Sequence, residues 1–266
     1  MPRLTHTMPP LTPPHFTLCL SIAALSLTCA CTAGPMPEAD ETFLNKHLPG
    51  VVLNIGEDDP TAGDWLPLRP QSQRFDMPGH GNAQLTLSTM PTVRSMGQPV
   101  GAADGGWVFA ANGSFFAHLR QDADGSIVEP TLASHDLGLL LRLNPPEPLL
   151  LTEAKTNEDI TRKVRVRIYD MHEPAVLAHS GDRHLTYTDM GIWRVKVPAG
   201  TWNAKLIRVR AENIIAGETF QSVRYMFFVR DVGVVAMVDT KSFTHAVYPM
   251  TGVHAAVLVS TGPLTR

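Results

Sequence analysis

Cysteine is nearly missing from this chain: 266 residues hold three, Cys19, Cys29 and Cys31, and all fall in the first 31 positions. Taking 31 from 266 leaves 235 residues without a thiol for a disulfide, a zinc cage or a nucleophile. Long apolar runs are also scarce. Residues 16–27 form an apolar stretch, but a bilayer-spanning helix needs about 20 such residues. Positive charge is in short supply too, with 22 Lys and Arg against 25 Asp and Glu, a net charge of −3. Nothing basic is interleaved with aromatics, so nucleic acid is not an expected partner. Signatures of catalysis are missing as well: there is no GxSxG elbow and no HExxH, and the glycines at 101–106 lack the lysine and the helical pattern of a phosphate loop. No cofactor is implied.

What is present begins with a leader. Residues 1–17 carry Arg3 and five prolines, Pro2, Pro9, Pro10, Pro13 and Pro14, followed by the apolar 16–27 segment and then small residues around Cys29 and Cys31. Residues 1–31 read as a lipoprotein-type signal peptide ending at a lipidated cysteine. Cys31, preceded by the small Ala30, is favoured over Cys29, and cleavage near Ala33 without lipidation is the alternative. Acyl chains contribute about 0.8 kcal/mol per buried methylene, so such a cysteine anchors a domain without any transmembrane helix. The expected location is the cell envelope, anchored in the periplasm. Thr32 after Cys31, where an Asp would signal retention in enteric lipoproteins, favours the outer membrane.

Residues 32–49 read as a tether and a short helix over 40–48, with Asp40 as N-cap and Pro49-Gly50 as the stop. Residues 50–266 read as one β-rich domain. Strands are predicted at 51–55 and 84–89, in a hairpin about Asn112-Gly113, and at 137–143. Asp122-Ala123-Asp124-Gly125 is expected to be a turn, since the other ligands of a calcium loop are missing. The prolines at 145, 146 and 148 are read as a crossover loop, and 156–163 as a helical turn or two. Val164, Val166 and Ile168 alternate with Arg165, Arg167 and Tyr169, a strand with one basic face. Residues 225–240, YMFFVRDVGVVAMVDT, give the longest apolar run outside the leader and read as two central strands joined at Arg230-Asp231-Val232-Gly233.

The order of Trp193 to Val197, Pro198-Ala199-Gly200-Thr201-Trp202, and Phe228 through Val235 resembles secreted bacterial domains with a VPAGTF-like turn followed by a VGxV segment. Those domains look related to the LolA/LolB-like half-barrel, and the likeness covers about a third of the chain. It implies a mainly β fold, a curved antiparallel sheet or half-barrel with a few short helices, and a concave face for acyl chains lined by Trp202, Phe227, Phe228 and Val235. No catalytic residue is carried over.

The residues alone offer one metal candidate. A hairpin about Ser180-Gly181-Asp182-Arg183 would set His179 and His184 opposite each other beside Asp182, with His172 or Asp170 as an open third ligand. His80 and His135 are isolated loop histidines. Three functions remain: a non-enzymatic, lipid-anchored envelope protein binding a hydrophobic ligand or lipid-bearing partner, an envelope assembly protein without a pocket, and a periplasmic hydrolase or metal-dependent enzyme.

Overall fold

The computed structural model describes residues 34–59, 63–78, 84–91, 106–112, 115–242 and 251–263, all within one compact unit, Cys31–Arg266. Cys19, Cys29, Cys31 and His80 lie outside the described residues.

Among the described residues the chain forms α1 (Glu38–His47) and β1 (Val52–Ile55), then β2 (Gln71–Asp76), β3 (Gln84–Pro91), β4 (Trp107–Ala111) and β5 (Phe115–Gln121). It continues through β6 (Ile127–Ser134), β7 (Leu139–Leu150), β8 (Asp159–Asp170) and β9 (Leu177–Val197). The last four strands are β10 (Gly200–Ile215), β11 (Glu218–Val229), β12 (Gly233–Ser242) and β13 (Thr251–Gly262). Antiparallel pairing runs from β9 through β13, on through β2 to β8, and back to β9, which closes a twelve-strand barrel. β1 lies outside the circuit, paired to the end of β9.

The closure corrects the open half-barrel implied by the resemblance: β2 and β13, the first and last strands of the circuit, pair antiparallel, and a further departure from expectation is β9. Its 21 residues are long enough for two partners on one edge: β8 along Leu177 to Thr188 and β1 at Trp193 to Val195. No hairpin interrupts it. Gly181 is a glycine because β10 approaches closely, and an added Cβ would collide with the Ile214 carbonyl and with Ile215.

Two further expectations change. The prolines at 145, 146 and 148 sit inside β7, just past Asn144, its last residue paired with β8. Proline is tolerated where a strand has lost a neighbour, because the missing N–H then breaks no ladder bond on that side. Residues 159–163, expected to be helical, already belong to β8.

The strands at 225–240 form as expected, with Asp231 (φ 60°) and Gly233 (φ 92°) both left-handed in the turn. Their apolar character on both faces follows from what lies on each side. Phe228 points into the barrel, whereas Tyr225 and Phe227 point outward beneath α1, where Phe43 stacks on Tyr225 at 5.4 Å between ring centres. Asp40 does not cap α1, which starts after Pro37 without a side-chain cap. It turns inward instead, accepting hydrogen bonds from Arg208, from Arg210 at 3.0 Å and from the Tyr225 hydroxyl at 2.6 Å.

On β8 and β9 the outer face is charged. Lys163 and Arg165 face outward to Asp182, while Val164, Val166 and Ile168 are at most 2% exposed. No helix among the described residues is long and apolar enough to cross a membrane.

Candidate ligand-binding lumen

The alternation that builds each strand sends every second side chain into the barrel. Toward the end where β9 turns into β10, inward positions are filled: Leu119, Tyr187, Phe228 and Leu258 are at most 1% exposed. Leu151 N–H donates to the Tyr187 hydroxyl there, and burial pushes that phenol well above its ordinary pKa. Toward the opposite end the lumen is hollow. One chamber of about 330 Å³ lies between β3–β7 and β11–β13, walled by Leu87, Phe109, Ala117, Met226 and Met237. A second of about 180 Å³ lies against Leu141, Leu143, Val166, Ile168 and Ile215. Phe115, Leu132, Arg224 and Asp239 border both. Drug-sized ligands occupy pockets of roughly 300–1,000 Å³, so the larger chamber falls at the lower end of that range.

The wall between the chambers is charged. Arg224 reaches Asp239, its partner across the β11–β12 ladder, at 3.4 Å and Glu129 at 3.8 Å. Arg183 holds Glu147 at 3.0 Å. Burial raises the Glu129 carboxyl to about 7, and Arg224 only partly offsets that effect. Arg224 is driven the other way. Burial disfavours its charge, but Asp239, Glu129 and Glu147 together hold it more firmly protonated than usual.

None of these five groups was singled out in the sequence. Glu147 was hidden in the proline segment read as a loop, and Arg183 in the supposed hairpin turn. Glu129 had a readable signal, a lone acid at an inward position next to Ile127 and Val128.

The residues expected to line a ligand face lie elsewhere. Trp202 is half-buried at the start of β10, and Phe227, Phe228 and Val235 are fully buried in packed regions on both sides of the wall. His179, Asp182 and His184 share the single strand β9, the two histidines five positions apart, so the two rings point to opposite faces and are not brought together. Among the described residues there is no group of three or more His, Cys, Asp or Glu placed to hold a metal. His135 packs edge-on against Phe116 at 5.0 Å. The Asp122–Gly125 segment is a turn, as expected, closed by Asp122 N–H donating to the Ser126 carbonyl and by Ser126 N–H donating to Asp124.

No protein-family model matches the chain, and no curated protein matches it. Two solved structures are similar. One, from Bacteroides fragilis, is described as an exported protein with a YmcC-like fold. It is 10% identical with a TM-score of 0.40, over 76% of this chain and 99% of that one. The other, from Parabacteroides distasonis, is described as a lipoprotein. It is 12% identical with a TM-score of 0.36, over 77% of this chain and all of that one.

Proposed function

We propose that this is a lipid-anchored envelope protein that binds an apolar or amphipathic molecule in the hollow end of its barrel, without catalysing a reaction. The observation that carries the reading is the 330 Å³ mainly apolar chamber inside a closed wall. Side chains fill the end where β9 turns into β10, so the hollow space is a local feature of the opposite end and not loose packing throughout. The buried acids of the dividing wall are held against arginines, an arrangement that suits ligand orientation better than turnover. The leader and Cys31 support the anchor and the envelope location, with the periplasmic face of the outer membrane favoured by Thr32.

The test is mass spectrometry of lipids that remain with the purified protein, compared with a Met226→Trp variant that fills the chamber. Co-purifying amphiphile in the wild type and none in the variant is expected; equal amounts in both would sink the reading.

A second reading, an assembly protein, draws on β1. Its described partner is β9 alone, and Leu53 and Ile55 are 50% and 43% exposed. Strand addition at such an edge is a common docking mode. Cross-linking through a photoreactive residue at position 53 would recover a partner under that reading and the monomer alone otherwise.

A further inference from the structure

The polar side chains facing the larger chamber are Glu129, Arg224, Asp239 and His254, and Glu147 with Arg183 completes the cluster behind them. Three carboxylates therefore meet two guanidinium groups. Neither oxygen of Glu147 receives an aligned hydrogen bond although Arg183 stands 3.0 Å away, and its side chain is only 1% exposed. His254 lies across the ladder from Asp239. A negative charge in excess inside a water-poor lumen is costly unless a cation meets it.

We propose that the larger chamber selects an amphiphile with a protonated amine head, the ammonium meeting Glu129 and Asp239 and the alkyl chain lying among Leu87, Phe109, Met226 and Met237. The selection rests on the lumen being an apolar-ligand site, as proposed above. An ammonium group brings the missing positive charge and three N–H donors, which form charge-assisted bonds to carboxylates. A carboxylate head would instead set four negative charges against two positive ones. An uncharged alcohol would leave the excess as it is.

The test is calorimetric titration of the full chain with decylamine, decanol and decanoate at about pH 8, where the amine is charged and an ordinary imidazole is neutral. The amine is expected to bind about tenfold tighter than the alcohol, the effect of one charge-assisted hydrogen bond, with decanoate weakest. Glu129→Gln should bring amine and alcohol to within about threefold of each other, one carboxylate having become neutral. Should that variant fail to fold by near-ultraviolet circular dichroism, Asp239→Asn carries the same expectation. Lowering the pH toward about 6 should also narrow the preference, as Glu129 takes up its proton. If decanol or decanoate binds as tightly as decylamine, the head-group selection is overturned and the lumen reading survives. If none of the three binds, both fall.

Discussion

Glu129 binds its proton more tightly in the folded chain than in the unfolded one, because burial raises the carboxyl from 4.5 to about 7. The stability linked to that proton is fully present below the unfolded value and is lost as the pH rises through the folded one. A shift of that size corresponds to about 3 kcal/mol. Between about pH 5 and pH 8 the wild type should therefore lose stability relative to Glu129→Gln, which has no proton to release, by most of that amount. Urea unfolding of both proteins at the two pH values checks this, and a constant difference would contradict it. At Phe227, fully buried beneath α1, truncation to Ala should cost about 3–5 kcal/mol in the same assay. The apolar identity of such positions was legible in the run at 225–240, and alternation identified Val164, Val166 and Ile168 as inward. What could not be read was which polar residues share the interior, because Glu129, Glu147, Arg183, Arg224 and Asp239 come from five strands and meet only when the barrel closes.

α1 shows how an element can be located correctly and its key residue given the wrong task. Asp, a common N-cap, stands at 40 just before an apolar pattern, so a capping role was the local reading. The tertiary structure takes the side chain for a buried contact with Arg208, whose own side chain is 8% exposed. Asp40→Ala leaves that guanidinium with Thr188 at 3.1 Å and a long contact to Asp159 at 3.5 Å. Removing one partner of a buried pair costs about 3–5 kcal/mol. The variant should lose stability on that scale, and α1 should become the first site cut in limited proteolysis; an uncut helix would mean that Phe43, Leu44 and Leu48 hold it unaided. The same competition between local and distant partners explains β7 and β9. Prolines and a Ser-Gly-Asp sequence are loop and turn signals only where the chain is free to bend, and here the neighbouring strands keep both segments extended.

At the scale of the molecule, the β class, the antiparallel succession and the Asn112 and Gly233 turns were legible, while closure was not. Whether a meander stays open depends on whether its first and last strands meet, and nothing in the residues of β2 names β13 as its partner. Closure makes a testable difference in hydrogen exchange. Amides of β2 paired with β13 should be protected to the same degree as those of β10 and β11, whereas an open sheet would release them first. The half of β7 beyond Asn144 should exchange faster than the half before it, since it has no ladder with β8.

The clasp of α1 also limits how far the barrel can stand from an anchor. Met36 packs against the core, so an acylated Cys31 would stand at most four residues, 32–35, from the packed chain. Four extended residues reach about 14 Å. A domain on so short a lead would ride against the lipid headgroups, where a molecule leaving the bilayer has little water to cross, and lengthening the leash with a flexible insert after Cys31 should slow ligand uptake from vesicles while leaving affinity in solution unchanged.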